Sequence, residues 1–205
     1  MKKALIALVL IVVAFLGFVA TRPSEFTVER KTTIAASPDV VFSIVNDFHR
    51  YGEWNPWGDK DPAMKVTMGG AASGTGASYA WVGNDKAGEG KMTITSSTPQ
   101  KIGISLEFIK PFPSTNELEY SMTPNGANTD FSWKMHGPAN FLLKAMTTFK
   151  SMDAMIGPDF EKGLASLKKV AEADAKKKAE DAAKAAAAAP PPSPDTAPAP
   201  AVEQK

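Results

Sequence analysis

Residues 138–170 read PANFLLKAMTTFKSMDAMIGPDFEKGLASLKKV, and they carry the only long helical pattern that follows the apolar N-terminus. Large apolar residues recur there at spacings of three and four, the repeat of a helix with one buried stripe: Phe149, Met152, Ile156, Phe160, Leu164 and Leu167. Pro138 suits the first turn, because the N–H that proline lacks would have no partner there. Gly157-Pro158 interrupts the pattern and predicts a kink or a short break.

Seven runs of alternating apolar and polar residues come before this segment. The cleanest run is residues 102–108, where Ile, Ile, Leu and Phe occupy the even-numbered positions. Because successive side chains of a strand face opposite sides of a sheet, each run predicts a half-buried strand. Turn signals such as Pro124-Asn125-Gly126 separate the runs. Successive strands joined by short turns predict an antiparallel meander.

Two short helices are expected between the first and second strands. Ser37-Pro38-Asp39 supplies an N-cap residue, a proline at the first helical position and an acidic residue in the first turn. Residues 47–58 (DFHRYGEWNPWG) predict a second short helix that runs into an aromatic turn. The predicted fold class is therefore α+β: a curved seven-stranded antiparallel sheet around a long C-terminal helix, with two short helices after strand 1.

The N-terminus carries a membrane-length apolar run. Lys2 and Lys3 precede about 17 uncharged residues, which is the lower limit for crossing a bilayer. A cleaved signal peptide and an uncleaved anchor are both open. The anchor is favoured because Phe18 is too large for the third-last position of a cleavage site that ends at Ala20. The lysines favour a cytoplasmic N-terminus. We expect a single-pass inner-membrane protein whose soluble domain faces the periplasm or cell exterior, or else a protein secreted after cleavage.

Composition excludes several classes of function. The 205 residues include no cysteine, which excludes disulfides, thiolate metal sites and a cysteine nucleophile. The net charge of +1 gives no reason to expect nucleic acid as a partner. Residues 171–189 are mostly Ala, Lys, Glu and Asp and can extend the helix into solvent, whereas the Pro/Ala-rich residues 190–205 should be extended or disordered. We expect three parts: an anchor or signal segment over 1–23, a ligand-binding domain over 24–170 and a low-complexity tail over 171–205.

Catalytic and metal-binding patterns are nearly absent from the sequence. His49 and His136 are too few for a three-histidine metal site, and neither H-E-x-x-H nor G-x-S-x-G occurs. Residues 69–76 are rich in glycine but lack the Lys and Ser/Thr of a phosphate loop, and they suit a hairpin turn. A solvated surface position is favoured for both histidines over a catalytic one. We therefore predict no catalytic residue, no metal site and no cofactor.

Three motifs give the chain a family resemblance: SPDVVFSIVNDF at residues 37–48, YGEWNPW at 51–57 and FSWKMHG at 131–137. With the order strand, two short helices, six strands and a long helix, the chain resembles the START / Bet v 1-like (SRPBCC) helix-grip superfamily. Within that superfamily it is similar to bacterial polyketide cyclase/dehydrase-like proteins. The resemblance spans residues 26–170. It implies a deep apolar cavity between the sheet and the long helix.

Side chains on both faces of the expected cavity are bulky, flexible or aromatic, and several are methionines that can adapt to varied ligands. Trp54 and Trp57 either plug one end of the sheet, which is the favoured interpretation, or gate the passage of an apolar ligand. The residues that we expect to line the cavity are Trp54, Trp57, Tyr79, Trp81, Ile104, Leu106, Phe108, Tyr120, Met122, Phe131, Trp133, Met135, Phe149, Met152 and Ile156.

Two charged residues fall close to the predicted apolar faces. Arg30 interrupts the apolar side of the first strand, and Asp153 borders the buried stripe of the long helix. A buried carboxylate needs a partner, so an Arg30–Asp153 pair is one possibility. The other is that both side chains lie at the edges of their elements, in water.

Three functions remain open. The first is a membrane-tethered, non-enzymatic protein that holds a lipid or other hydrophobic small molecule between the sheet and the C-terminal helix. The second is a cyclase or dehydratase-type enzyme that uses an ionisable side chain in an apolar pocket, with Tyr79, Tyr120, Arg30 or Asp153 as the candidates. The third is a structural or interaction protein of the cell envelope whose tail reaches a partner. The missing catalytic patterns favour the first.

Overall fold

The computed structural model describes residues 1–188. The α-helices in this range are α1 (Lys2–Ala20), α2 (Pro38–Val45), α3 (Phe141–Thr147) and α4 (Met152–Ala188). Two 3₁₀ helices, Phe48–Glu53 and Gly58–Lys60, follow α2. The strands are β1 (Glu25–Ile34), β2 (Lys65–Gly70), β3 (Ala77–Val82), β4 (Glu89–Thr98), β5 (Lys101–Lys110), β6 (Ser114–Asn125) and β7 (Asn128–Pro138).

These seven strands form one antiparallel sheet in the order β1-β7-β6-β5-β4-β3-β2. Six of them follow each other as a meander, and β1 joins the far edge by pairing with β7. The β4–β5 register shifts between Glu89 and Gly90 and again between Ile94 and Ser96. Such bulges bend a strand and increase its twist, which helps the sheet to curve around α4. The predicted α+β helix-grip fold is confirmed.

The core lies between the concave face of the sheet and α4. Phe160, Leu164 and Leu167 are buried on α4 at the spacings that the sequence predicts. The Phe160 ring stacks on Trp133 of β7 with 4.2 Å between ring centroids. Gly163 brings the helix close to the sheet, because a Cβ at this position would lie 2.7 Å from the Trp133 ring.

The start of the long helix differs from the prediction. Pro138 is the last residue of β7 and pairs with Glu25 of β1, so the expectation that it opens the helix is wrong. The alternating burial of β7 continues through Gly137, and this pairing outweighs the helical signal of the proline. The short helix α3 begins after Asn140, whose side-chain oxygen accepts the N–H of Leu143 at 2.9 Å.

The break in the helical pattern lies at residues 148–151, before α4. Phe149 falls in this break with 81% of its surface exposed, so its predicted place in the buried stripe is wrong. The hydroxyl of Ser151 accepts the N–H of Ala154 at 3.1 Å and caps α4. The helix then runs on through Pro158, so no break occurs at that residue. Partly buried Ile156 before Pro158 and buried Phe160 after it pack against the core, which offsets the hydrogen bond that proline removes.

The strand β2 is exposed along its whole length, including Val66 and Met68, whose alternation predicts one buried face. It is the edge strand opposite β1, and α4 packs against β1 at the other edge of the sheet. Met64, just before β2, is partly buried and packs against the core.

The two ends of the described chain are long helices with exposed surfaces. Of residues 1–188, α1 alone is long and apolar enough to cross a membrane, with a mean hydropathy of 2.8. At the other end, α4 continues past Val170 as the composition allows, and Ala171 is buried against the fold. Ion pairs of 2.7 Å between Arg50 and Asp174 and 2.5 Å between Asp39 and Lys178 tie this extension to α2 and the following 3₁₀ helix. The predicted extended segment, residues 190–205, lies outside the described residues.

Candidate ligand cavity

A cavity of about 330 Å³ lies between the concave face of the sheet and the start of α4. The segment from the first to the second 3₁₀ helix covers one side of it, and the β3–β4 turn and Pro111 border its mouth. The sheet contributes inward-facing side chains from five strands: Tyr79, Trp81, Met92, Leu106, Phe108, Leu118 and Met135. The helix α4 contributes Met152, Met155, Ile156, Asp159 and Phe160.

The position of Trp81 illustrates how local sequence shapes the wall. Its ring lies over Gly90 of β4, where the ring would collide with any Cβ. Its indole N–H donates to the carbonyl of Ala87 at 3.0 Å, which orients the ring. The ring then meets Phe108 edge to face, with 6.0 Å between centroids. The glycine and the turn carbonyl together place a rigid aromatic wall at this side of the cavity.

The structure brings eight of the fifteen predicted residues to the cavity wall: Trp57, Tyr79, Trp81, Leu106, Phe108, Met135, Met152 and Ile156. Six others are buried away from it: Trp54, Ile104, Tyr120, Met122, Phe131 and Trp133. The last of the fifteen, Phe149, does not reach the cavity, and its side chain is exposed. Contact of any of these residues with a ligand remains a prediction.

An aromatic cluster fills the part of the interior that the cavity does not reach. Trp54, Tyr120 and Trp133 meet edge to face, with ring centroids 5.4–5.8 Å apart. This packing agrees with the plug interpretation for Trp54, whereas Trp57 is half-buried and borders the cavity. The indole nitrogens of Trp54 and Trp133 and the hydroxyl of Tyr120 have no hydrogen-bond partner among the described residues.

Sequence reasoning missed several residues of the wall. Met92 and Leu118 stand on the inward side of predicted strands, and Met155 is one helical step from Met152, so periodicity could have found them. Tyr51 lies in the aromatic segment that the sequence singles out. Nothing in the sequence pairs Lys60 with Asp159, which are 99 residues apart in the chain.

A charged pair stands at the edge of the apolar wall. Lys60 Nζ lies 2.6 Å from Asp159 Oδ2 and joins the second 3₁₀ helix to α4. Both side chains border the cavity, and only 18% of the Asp159 side chain is exposed. Asp85, Lys86 and Lys110 add further charges around the mouth. The site is thus an apolar interior with an ionic rim, which suits a ligand with an apolar body and a polar end.

Burial governs the protonation of the cavity tyrosines. Burial strongly raises the pKa of the Tyr51 hydroxyl and, less strongly, that of Tyr79. Both hydroxyls are therefore protonated at neutral pH, where they can donate hydrogen bonds but cannot accept a proton as a base. Neither histidine reaches the cavity. His49 is exposed beside Asp47, and His136 lies on the outer face of β7 next to Thr27, as predicted.

Of the two arrangements that the sequence leaves open for Arg30 and Asp153, the structure shows the pair. Arg30 donates two hydrogen bonds to Asp153, of 2.6 and 3.0 Å, and a third of 2.7 Å to Glu161. These bonds hold the pKa of the Asp153 carboxyl below its ordinary value. About a quarter of the Arg30 side chain is exposed, and the pair lies outside the cavity wall, so it joins β1 to α4 and does not face a ligand. Among residues 1–188, no group of three His, Cys, Asp or Glu side chains is placed to hold a metal ion.

Comparisons with solved structures show the same fold. Zhui aromatase/cyclase from Streptomyces sp. R1128 is 15% identical with a TM-score of 0.52, and the alignment covers 72% of this chain and 94% of that one. Protein CV1439 from Chromobacterium violaceum is 13% identical with a TM-score of 0.51, covering 74% and 99%. Protein MLL2253 from Mesorhizobium loti is 15% identical with a TM-score of 0.51, covering 70% and 95%. No curated protein matches the chain.

The predicted family resemblance is confirmed at the level of sequence. The family model described as polyketide cyclase / dehydrase and lipid transport matches residues 25–172, well over half of the chain. The match begins with β1 and ends in α4, so it includes every strand of the sheet and every element of the cavity. The chain therefore belongs to the polyketide cyclase / dehydrase and lipid transport family.

Proposed function

We propose that this protein is a membrane-tethered binding protein for a lipid or another hydrophobic small molecule, which it holds in the cavity between the sheet and α4. The observation that carries the proposal is the apolar cavity of about 330 Å³ between the sheet and α4. This volume lies at the low end of the usual range for small-molecule sites. It suits a single acyl chain or a small ring system better than a two-chain lipid.

The chemistry of the wall supports binding through burial of apolar surface. Five methionines stand among rigid aromatic rings in the wall, and methionine adapts to irregular ligand shapes: Met64, Met92, Met135, Met152 and Met155. The polar groups lie at the rim, where Lys60 can meet the polar end of a ligand. Such a site selects for an apolar body of suitable size more than for one chemical structure.

The protonation and pairing of the ionisable side chains in the cavity wall favour ligand binding over acid–base catalysis. The tyrosines Tyr51 and Tyr79 are donors at neutral pH, and the carboxylate of Asp159 is already paired with Lys60. A cyclase or dehydratase would need a group that can remove a proton inside the apolar part of the cavity. The wall supplies hydrogen-bond donors there instead.

The helix α1 supports the membrane tether. It has 19 residues, enough to span the hydrocarbon of a bilayer at 1.5 Å per residue, and its surface is exposed. Lys2 and Lys3 at its start favour a cytoplasmic N-terminus by the positive-inside rule. The ligand domain then faces the periplasm or the cell exterior.

Native mass spectrometry of the full chain, extracted from its own membrane in a detergent-free polymer, tests the proposal. We expect a co-purifying lipid or apolar metabolite, identified after solvent extraction. The variant Ile156→Trp should lose this ligand, because the indole would occupy the cavity. The matched control Ile109→Trp adds the same group at an exposed position away from the wall and should retain it.

Two results would count against ligand binding. The first is an empty native chain. The second is equal occupancy in the Ile156→Trp and Ile109→Trp variants, which would place the bound molecule elsewhere. Either result would shift the weight to a structural role for the domain in the cell envelope.

A further inference from the structure

The short helix α3 and the turn after it expose an unusual amount of apolar surface. Phe141, Leu142, Met146 and Phe149 are each between 44% and 81% exposed within a stretch of nine residues. A contiguous patch of this kind on a soluble domain marks a surface that meets a partner or a membrane. Phe112, in the loop between β5 and β6, is 54% exposed and borders the same groove as Leu142 and Met146.

The contact between Phe149 and Phe15 of α1 indicates how deep this patch would lie in a membrane. The two rings stack with 6.0 Å between centroids and an interplanar angle of 28°. Phe15 lies five residues before the end of α1, which is about 7–8 Å along the helix axis. If α1 spans the bilayer, its partner Phe149 must lie below the membrane surface, at the level of the lipid chains.

Basic residues lie just above the level of Phe149, on the side of the membrane surface. Lys144 of α3 donates to the hydroxyl of Ser24 at 2.9 Å, only four residues beyond the end of α1. Arg22 lies over the ring of Phe18, 5.8 Å from its centroid, and Lys150 follows Phe149. Cations at this height can reach phosphate groups while their stems stay in apolar surroundings. Apolar residues below and lysines above are typical of a helix that lies in the membrane interface.

An apolar groove leads from this patch towards the ligand cavity. The groove has a volume of about 230 Å³ and runs between α3 and the β5–β6 loop, past Phe112, Leu142 and Met146. Four residues border both the groove and the cavity: Phe108, Pro111, Met135 and Met152. Two flexible methionine side chains, Met135 and Met152, thus stand where the two spaces adjoin.

We infer that α3 and residues 148–150 embed in the outer surface of the bilayer, and that the groove beside α3 is the passage by which an apolar ligand moves between the membrane and the cavity. The embedding rests on the proposed membrane tether and on the contact between Phe149 and Phe15 of α1. The passage rests on the proposed ligand-binding function. The partner of the exposed patch is therefore the lipid bilayer.

The absence of cysteine from the chain permits a direct measurement of depth. The full chain carries a single nitroxide label at Met146→Cys and is reconstituted in vesicles of phosphatidylcholine and phosphatidylglycerol. We expect the label to be accessible to oxygen and shielded from a water-soluble nickel chelate, as at Leu16→Cys in α1. A label at Thr95→Cys, exposed on β4, should show the opposite. Chelate accessibility at position 146 equal to that at position 95 would overturn the embedding.

Uptake kinetics test the passage. We expect Phe149→Glu to slow the transfer of a fluorescent long-chain fatty acid from vesicles to the protein by about tenfold, because the charge lifts α3 from the lipid. Uptake of a water-soluble short-chain analogue, added from the aqueous phase, should not change. The matched control Thr95→Glu should leave both rates unchanged.

Equal rates of vesicle transfer in Phe149→Glu and Thr95→Glu would overturn the passage. If the unaltered chain takes up neither fatty acid while the label at position 146 is shielded, the ligand-binding function and the passage both fail and the embedding stands. The depth measurement and the uptake measurement therefore separate the two claims.

Discussion

The guanidinium of Arg30 lies against the backbone of Gly157, where any Cβ would collide with it. From there it binds Asp153, four residues earlier in α4, and Glu161, four residues later. Positions four apart lie on one face of a helix, so a single side chain of β1 holds two turns of α4. These turns include Met155 and Ile156, so the arrangement fixes the part of α4 that forms the cavity wall.

Two glycines of α4 should respond differently to the same substitution. Gly163→Ala is expected to lower the free energy of unfolding by about 1–2 kcal/mol, because crowding of Trp133 and Pro56 outweighs the gain of about 1 kcal/mol in helix propensity. Gly157→Ala displaces the end of the Arg30 side chain and loosens its bonds to Asp153 and Glu161. It should cost less, because partly exposed ion pairs of this kind are worth about 1 kcal/mol or less. Denaturant unfolding of both variants checks the order. A more stable Gly163→Ala variant would contradict the close approach seen at Trp133.

The pair between Asp39 and Lys178 predicts a pH dependence. The Lys178 ammonium lowers the pKa of the Asp39 carboxyl to about 2, compared with 3.8 for the unperturbed group. Because the folded pKa is depressed, the stabilisation is present above about pH 4 and is lost as the pH falls towards 2. Lys178→Met should raise the pKa of Asp39 in an NMR titration. It should also reduce the loss of stability as the pH falls from about 4 towards 2. Lys176→Met, which removes an exposed lysine of the same helix, should change neither.

Two buried hydroxyls allow a test of polar burial in the core. Tyr120 has no hydrogen-bond partner among the described residues, whereas Thr129 donates to the carbonyl of Ala36 at 2.8 Å. Tyr120→Phe should raise the free energy of unfolding by about 1 kcal/mol, because the hydroxyl is desolvated without compensation. Thr129→Val should lower it by about 1 kcal/mol, because a carbonyl loses its donor. A clear loss of stability in Tyr120→Phe would show that its hydroxyl is satisfied.

The ionic rim of the cavity should influence which polar end group the site prefers in a ligand. Asp159→Asn removes the carboxylate that holds Lys60 and leaves the ammonium at the mouth of the cavity free to meet an anion. We expect this variant to bind a fatty acid about tenfold more tightly, because like-charge repulsion is replaced by attraction. Affinity for the matching fatty alcohol, which carries no charge, should stay nearly the same. Equal gains for the two ligands, measured by calorimetry, would exclude an electrostatic role for the rim.

Much of the fold could be predicted from periodicity and turn chemistry. Alternation marks seven strands, and the spacing of Phe160, Leu164 and Leu167 marks the buried face of α4, because these repeats follow directly from backbone geometry. The same signals misplace the start of the helix. Pro138 carries a helix-start signal, but its pairing with Glu25 keeps it in β7, and no local pattern reveals that pairing.

For the candidate site too, one part could be predicted from the sequence and another could not. Which side chains face inward is a local property of strands and helices, so eight predicted residues reach the cavity wall. Whether an inward side chain meets a cavity or a neighbouring ring is not local. The rings of Trp54, Tyr120 and Trp133 fill one end of the interior only because the chain brings three distant segments together.

The amino-acid pattern specifies the family, the antiparallel sheet, the long helix and the apolar N-terminal segment, since each rests on short-range repeats or recognisable motifs. The tertiary structure alone decides which part of the interior stays open, that Lys60 meets Asp159 at its rim, and that Phe149 turns away from the core to stack on Phe15. These contacts join residues about 100 positions apart or more, and their energies depend on packing that no local sequence pattern encodes.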